Sequence, residues 1–475
     1  MYRKDLHFFF TGIGGSGMSG LAELMLQLGF RVSGSDARLS PTTERLQSLG
    51  ALIHQGHHAS HLAATVSTLV YSSAVAQDNP ELVEARRLGI PVIARAEVLA
   101  ELMRLKFGVA VAGSHGKTTT TSMIAHVLQC AGLDPTVVVG GQLHQAGTGA
   151  RLGRGQYLVA ETDESDRSFL LLKPTIAVVT NIDNEHLTAY GSTQDLEAAF
   201  QQFMCAVPFY GLMVGCIDDP TVSRLLQTIG RRTVSYGFSP DADLHAVDLS
   251  HHHNNSQARI LAGDTEIGVL NLQIPGRHMI CNALAAIAVG RELGVPHSMS
   301  IEALASFSGV KRRLEVIDNY KGIIVMSDYG HHPAEVRATL QAIRDGWGKE
   351  INRLRVLFQP HRYSRTKECF QDFLTAFDLA DEVIITEIYA ASEDAIPGIT
   401  GSHLQRGLRH PASEFISKVE DAAITLAERA IPGDFILCLG AGSVGSAPEI
   451  VAKTLRTERH IEVDSTHVQP ASATH

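Results

Sequence analysis

The segment Gly113-Ser-His-Gly-Lys-Thr-Thr119 brings together residue types that can act on a nucleotide. A glycine-rich turn between a strand and a helix start offers unpaired backbone N–H groups and a positive dipole end, and both suit a polyphosphate. Gly113, Ser114, His115, Gly116 and Thr119 would line such a loop, Lys117 would reach the β- and γ-phosphates, and the Thr118 hydroxyl would sit on Mg2+. Gly113 and Gly116 enclose only two residues, where the usual phosphate loop has four. The competing reading is a Thr-rich helix cap after a glycine turn. About forty residues further on, the apolar run Tyr157–Glu161 ends in a carboxylate, the position of an acid that holds the metal. Glu161 opens a cluster with Asp163, Glu164 and Asp166, which otherwise reads as a solvated acidic loop.

Other candidates are single side chains at the ends of apolar runs. His186 follows Thr175-Ile-Ala-Val-Val-Thr180, at the end of a strand where open α/β sheets place their sites. His278 and Asn282 are four apart, so they share a helix face and either meet a purine edge or cap the helix. Arg362 and Arg365 are three apart, close enough to converge on one carboxylate or phosphate if the turn is helical.

These residues need strands and helices in alternation to hold them. His7–Thr11 reads as a buried strand followed by Gly12-Ile-Gly-Gly-Ser-Gly17, and then by Leu21, Leu24, Met25 and Leu28 on one helical face. The next strand ends at Asp36, an acid placed to meet a ribose hydroxyl. Alone, this would be the fingerprint of a nicotinamide-dependent dehydrogenase, though any diphosphate could use the same turn. Such an enzyme would leave the loop at Gly113–Thr119 without a role. Leu69-Val-Tyr-Ser-Ser73 is a strand ending in two hydroxyls, Ser72 and Ser73. The segment 239–274 reads as polar and irregular, with a solvated hairpin loop at the run His251-His-His-Asn-Asn255. Ile323–Asp328, the start of Arg355-Val-Leu-Phe-Gln359 and Val383–Tyr389 read as further strands. A second glycine turn, Gly440-Ala-Gly-Ser-Val-Gly445, either binds phosphate or simply turns the chain tightly. The polar tail from Thr457 is expected to be disordered.

Composition bounds these readings. The 475-residue chain is long enough for several domains, and 44% hydrophobic with 19% charged residues is ordinary for a globular protein. A net charge of −10 argues against a nucleic-acid partner, which would require a basic face. Six scattered cysteines, with no C-x-x-C pair, suggest reduced buried thiols. No apolar run reaches the length of a membrane span, so a cytoplasmic enzyme with no membrane partner is expected.

Taken in order, the motifs resemble the Mur ligases of peptidoglycan synthesis from about residue 7 to 450. The marks are Gly12-Ile-Gly-Gly-Ser-Gly-Met-Ser-Gly20, Tyr71-Ser-Ser-Ala74, the loop at Gly113–Thr119, Glu161-Thr-Asp-Glu-Ser165, Asp328-Tyr-Gly-His-His-Pro333 and Gln359-Pro-His-Arg362. The loop looks like the family's shortened G-T-x-G-K-T, which accounts for its tight glycine spacing. Ser114 stands where the family usually has Thr, Thr162 where it often has Ala, Ser327 where a second Asp is common, and Glu185 where Asp is more frequent.

The resemblance implies an α/β fold of three domains. A Rossmann-like domain (1–106) would bind a UDP-sugar, a central P-loop domain (107–310) would bind ATP, and a Rossmann-like C-terminal domain (311–456) would bind an amino acid, with 457–475 as the tail. It implies ligation of L-alanine to UDP-N-acetylmuramate at the expense of ATP, through an acyl phosphate; the alternative within the family adds a preformed peptide to the same sugar nucleotide.

The resemblance also distributes roles. Gly12, Gly14, Gly15, Ser16, Gly17, Met18, Asp36, Ser72 and Ser73 would hold the UDP-sugar. Thr118 and Glu161 would hold one Mg2+, and His186 a second. His278 and Asn282 would lie near adenine, Arg313 near the phosphates, and Asp328 near the ribose of ATP. Tyr329, His331, His361, Arg362 and Arg365 would surround the amino acid and the reacting centre.

Overall fold

The computed structural model describes residues 5–72, 74–140, 149–183, 187–391 and 393–465. Ser73, Glu185 and His186 lie outside the described residues, as does the side chain of Ser16. The strands described form three sheets of five, ten and six strands. By compactness the chain divides into two units, one made mainly of residues up to Lys311 and one mainly of Arg312 onward.

The first unit begins with strands β1 (His7–Thr11), β2 (Arg31–Asp36), β3 (Leu52–Gln55), β4 (Thr68–Tyr71) and β5 (Val92–Ala94). They lie parallel in the order β3-β2-β1-β4-β5. Strand order reverses on either side of β1, and the glycine turn at Gly12–Gly17 follows that strand, where doubly wound sheets bind their ligands. Helix α1 (Ser16–Gln27) starts from the turn, and α2 (Arg95–Arg104) leads out of this sheet.

The second sheet contains β6 (Phe107–Ala112), β7 (Thr136–Val138), β8 (Ala150–Arg151), β9 (Tyr157–Glu161) and β10 (Ile176–Val179). It continues through β11 (Leu212–Cys216), β12 (Thr233–Gly237), β13 (Leu244–His252), β14 (Asn255–Ala262) and β15 (Thr265–Leu272). β6 lies between β9 and β10, parallel to both, and is buried on both faces. This explains its unbroken apolar sequence. Helix α3 (Lys117–Cys130) follows the phosphate loop, and α4 (Arg277–Glu292) packs against it.

The first two sheets share one hydrophobic cluster, in which Leu24, Met25, Leu99 and Met103 meet Ala110, Phe200 and Phe203. The sheet changes at Phe107, yet this common core makes residues on both sides of that point one compact unit.

Segment 239–274 departs from the irregular loop expected of it: β13–β15 make up most of it, and only residues 253 and 254, within the expected hairpin loop, separate β13 from β14. The inward positions of β14 are Ser256, Ala258 and Ile260, all essentially inaccessible. Two of the three are small or polar, so the period-two signal of a half-buried strand was weak in the sequence.

The second unit holds β16 (Glu315–Tyr320), β17 (Ile323–Asp328), β18 (Leu354–Phe358), β19 (Glu382–Ile385), β20 (Ser413–Phe415) and β21 (Phe435–Leu439). Their order is β16-β17-β21-β18-β19-β20, parallel except for the antiparallel edge strand β16. Helix α5 (Pro333–Trp347) follows β17, and α6 (Tyr363–Glu368) follows β18. The last helix, α7 (Ala447–Ser465), runs past the expected start of a disordered tail at Thr457. Val451 and Leu455 anchor its first half in the core, and the backbone continues helical beyond them.

Candidate active site

The phosphate loop is tied down by the turn after β10. The Thr180 hydroxyl donates to the His115 carbonyl at 2.6 Å, the Asn181 side chain accepts the His115 N–H at 2.8 Å, and the Ser114 N–H reaches the Asn181 carbonyl at 3.0 Å. The His115 ring lies 3.2 Å from Asp183. Asn181 and Asp183 thus shape the loop, although the sequence marked them only as part of a polar turn after a strand.

Two glycines make this geometry possible. Gly116 caps α3 at φ +82°, and a Cβ there would stand 2.8 Å from Asn282 Oδ1. Gly113 has φ +137°, and a Cβ there would collide with Thr180 Oγ1 and come within 3.0 Å of the Asn181 carbonyl. Gly113→Ala is expected to cost about 1–3 kcal/mol of stability, read as a lower urea midpoint, because both the dihedral and the contact are unfavourable.

Thr118 and Glu161 meet as the sequence anticipated. The Thr118 hydroxyl lies 3.0 Å from both Glu161 oxygens, and Glu161 Oε2 also accepts the Gly140 N–H at 2.7 Å. A hydroxyl and an oriented carboxylate at a helix start form a hard-oxygen pair, the donor chemistry of an Mg2+ site.

Lys117 is anchored within the loop. Its ammonium donates to the carbonyls of Gly113 (2.6 Å) and Ser114 (3.0 Å) and to Glu164 (2.7 Å). Glu164 is 3% exposed, and burial pushes its carboxyl up to about 7 against the opposing attraction of Lys117. The acidic cluster is therefore not uniformly solvated. Asp163 instead pairs with Arg95 at 3.3 Å, and the Arg95 guanidinium lies over Gly17, where a Cβ would collide with it. Arg95 joins the first glycine turn to the acidic strand end; its position in the first turn of α2 carried no such signal in the sequence.

At the first glycine turn, Asp36 accepts the Gly14 N–H at 2.8 Å, and Gly12 donates to the Ser35 carbonyl at 2.8 Å. Asp36 thus braces the turn directly. Gly15 caps α1. Met18 is 2% exposed and packs in the core, with its N–H bonded to the Gly15 carbonyl, so its side chain faces the core rather than a ligand, whereas Gly15 is exposed. Ser72 is half-buried at the end of β4. His278 is half-buried in the first turn of α4, whereas Asn282 is buried against Gly116.

The second unit gathers a separate cluster. Asp328 is buried at the end of β17 and accepts the Leu314 N–H (2.9 Å), the Gly330 N–H (2.8 Å) and the Thr339 hydroxyl (3.3 Å). Burial nevertheless raises its carboxyl above the ordinary value. Arg312 and Arg313 lie 5.0 and 5.1 Å from the Tyr329 ring centre. Glu335 accepts the N–H groups of His331 and His332 and lies 3.6 Å from Arg313, so it orders this corner without having been singled out in the sequence.

His361 stacks on Tyr389 with ring centres 5.6 Å apart and lies 5.6 Å from His331. Arg365 donates to His361 Nδ1 at 3.2 Å, which fixes the neutral tautomer with the proton on Nε2. Burial, then His331 and the guanidinium groups of Arg365, Arg362 and Arg312, lower its pKa to about 3. As pH falls below the ordinary value near 6.5, the unfolded chain takes up a proton that folded His361 refuses until about 3, so acid weakens the fold across that window. His361→Gln is expected to show a shallower fall in urea midpoint between pH 6 and pH 4.

The helical turn that would align Arg362 with Arg365 is not formed at Arg362. That residue precedes α6 with φ +70° and ψ 139°, a sparsely populated conformation, and its N–H is held by the Tyr389 carbonyl at 2.8 Å. The second glycine turn packs against protein atoms. A Cβ on Gly442 would stand 2.5 Å from Gln359 Oε1, and one on Gly445 would stand 2.7 Å from the Arg312 guanidinium. Both positions support the reading of a tight chain turn.

Parallel sheets, a lysine-bearing phosphate loop and a hydroxyl–carboxylate pair at its helix start define a multidomain α/β phosphate-loop protein. Residues 7–107 match the Mur ligase family, catalytic domain; residues 111–290 match the Mur ligase middle domain; and residues 312–442 match the Mur ligase, glutamate ligase domain. The chain belongs to the Mur ligase family, and is a ligase of three α/β domains. It is 50% identical over 462 residues to the UDP-N-acetylmuramate–L-alanine ligase of Solibacter usitatus, covering 96% of this chain and 97% of the relative. The enzyme of the same name from Sorangium cellulosum is 51% identical, with 93% and 94% covered. The crystal structure of UDP-N-acetylmuramate-alanine ligase from Thermotoga maritima superposes with a TM-score of 0.81 at 29% identity, covering 95% of this chain and all of that one. Among the described residues no helix is long and apolar enough to cross a membrane.

Proposed function

We propose that this ligase joins L-alanine to UDP-N-acetylmuramate with ATP, giving UDP-N-acetylmuramoyl-L-alanine, ADP and phosphate, in the cytoplasm. The observation that carries the reading is the Thr118–Glu161 pair beside the phosphate loop, in a chain half identical to relatives bearing that enzyme name. Residues 1–106 would take the UDP-sugar at the Gly12–Gly17 turn, 107–310 would take ATP, and 311–456 would take the amino acid.

A carboxylate is a poor electrophile, so the sugar carboxylate first attacks the γ-phosphorus and displaces ADP, leaving an acyl phosphate. The alanine amine then attacks the acyl carbon, and phosphate departs as the tetrahedral intermediate collapses. Thr118 and Glu161 would hold Mg2+, with His186 proposed for a second ion. Bound there, Mg2+ would neutralise charge on the phosphates. Backbone N–H groups of the loop beyond those of Ser114 and His115, which Asn181 holds, orient the phosphate chain at the start of α3, and Lys117 stabilises charge that grows on it.

To reach a phosphate, the Lys117 ammonium exchanges its Glu164 contact for a phosphate oxygen. Because Glu164 already has a pKa of about 7, it takes up a proton as the cation leaves, and no bare carboxylate remains buried. His278 and Asn282 are assigned to adenine, and Arg313 and Asp328 to the nucleotide. Arg362 and Arg365 offer guanidinium donors for the carboxylate of alanine, while Tyr329, His331 and neutral His361 are assigned to its amine and the reacting centre.

The test is ADP release with UDP-N-acetylmuramate against a panel of amino acids and the tripeptide. Turnover with L-alanine above the other amino acids is expected. Turnover with the tripeptide alone would replace this reading with that of the peptide-adding sister ligase, and NADH formation would replace it with a dehydrogenase.

A further inference from the structure

Cys216 and Cys281 are far apart in the sequence and belong to no C-x-x-C pair, yet the fold brings them together. Cys216 ends β11, Asp218 lies two residues on, and Cys281 sits in the second turn of α4. The two sulfurs and an Asp218 oxygen all lie within 4.8 Å of one another, with Cys281 Sγ 3.8 Å from Asp218 Oδ2. Tetrahedral zinc with Zn–S bonds of about 2.3 Å requires ligand atoms about 3.7 Å apart, so little movement would close this triangle.

The carboxylate is held in place for such a role. Both Asp218 oxygens accept the Phe238 N–H, at 3.0 and 2.9 Å, and Oδ1 also accepts the Ser239 N–H at 3.1 Å. Gly237 makes room for it: a Cβ there would stand 2.5 Å from Asp218 Oδ1. Outer hydrogen bonds of this kind orient metal ligands. Cys216 is buried, Cys281 is half-buried and Asp218 is exposed, so the group opens to solvent on its carboxylate side.

We infer that Cys216, Asp218 and Cys281 form a binding site for a soft divalent cation of the zinc class, with an open fourth position, and that its occupation inhibits the ligase. Binding forms two metal–thiolate bonds and one metal–carboxylate bond, and releases the thiol protons to solvent. No oxidant or reductant is needed. Thiolate ligands select zinc-like ions over Mg2+, so the site does not compete for the ion proposed at Thr118 and Glu161. The link to activity is short: Cys281 precedes Asn282, whose side chain lies against Gly116 of the phosphate loop. Drawing Cys281 toward Cys216 shifts the turn of α4 that carries Asn282. The inhibitory part rests on the function proposed above; the binding part does not.

The test uses the full chain, reduced and metal-free, titrated with Co2+ as a spectroscopic probe and with Zn2+ in competition. The expected result is a thiolate-to-cobalt charge-transfer band that saturates at one equivalent and is displaced by Zn2+. Cys216→Ser and Cys281→Ser should each abolish it, and Asp218→Asn should weaken binding by at least about tenfold. Circular dichroism melts would show that the half-buried Cys281→Ser variant remains folded. Zn2+ at one equivalent should lower ADP release by the native chain at saturating Mg2+ and leave the Cys281→Ser variant unaffected. A band that survives in both cysteine variants, or is absent from the native chain, overturns the site. Loss of two titratable thiols in air without metal, with no cobalt band, would replace it with a disulfide. Normal cobalt binding in a chain that releases no ADP would instead defeat the proposed function and leave the site standing.

Discussion

Lys117→Ala is expected to reduce ADP release by at least about a thousandfold, because it removes the cation that faces the charge developing on the phosphates. The same change deprives buried Glu164 of its partner at 2.7 Å. Removing one member of a buried pair costs about 3–5 kcal/mol when the other must stay charged. Glu164 has an escape, since its pKa is already about 7 with the lysine present and rises further without it. A carboxyl whose folded pKa lies above its unfolded value loses stability as pH rises through the window between them. The variant should therefore be near native stability at pH 6 and fall behind the native chain by pH 8. Adding Glu164→Gln should remove that pH dependence without restoring turnover. The measurements are ADP release and urea midpoints at pH 6, 7 and 8. Normal ADP release by Lys117→Ala would sink the assignment of the loop.

The second large effect is expected at the hydroxyl–carboxylate pair. Glu161→Ala should raise the Mg2+ concentration needed for half-maximal ADP release by at least about tenfold, and should lower the maximum as well. Thr118→Val should act in the same direction and Thr118→Ser should not, since serine restores the oxygen 3.0 Å from Glu161. Glu161 also accepts the Gly140 N–H, so Glu161→Gln serves as a control that keeps an acceptor there. Mg2+ titrations that coincide for the native chain, Glu161→Ala and Thr118→Val would remove the metal role from this pair.

Much of the scaffold was legible because its parallel strands are buried on both faces and so write continuous apolar runs, as in Val109–Ala112 and Ile176–Val179. The pairing of Thr118 with Glu161 was legible for a related reason: one follows a glycine turn and the other ends a strand, and in parallel sheets such positions share an edge. Less legible were β13–β15, where small inward residues weakened the alternation, and the last turns of α7, where a polar sequence continues a helix anchored further back. The backbone at Arg362 was not legible either, because residue spacing carries no information on a positive φ.

By itself, the sequence determined the apolar strands that precede the polar and glycine turns, the loop that suits a polyphosphate, and the residue types at those strand ends. Each of these rests on local patterns of polarity and glycine within a few residues. Only the tertiary structure decided that Lys117 is held by Glu164 rather than left in solvent, that Arg95 bridges Gly17 and Asp163, and that Cys216 meets Cys281. Those are contacts between distant segments. Their energies, like the raised pKa of Glu164 and the lowered pKa of His361, depend on how much water the surrounding chain excludes, and no local pattern in the sequence encodes that quantity.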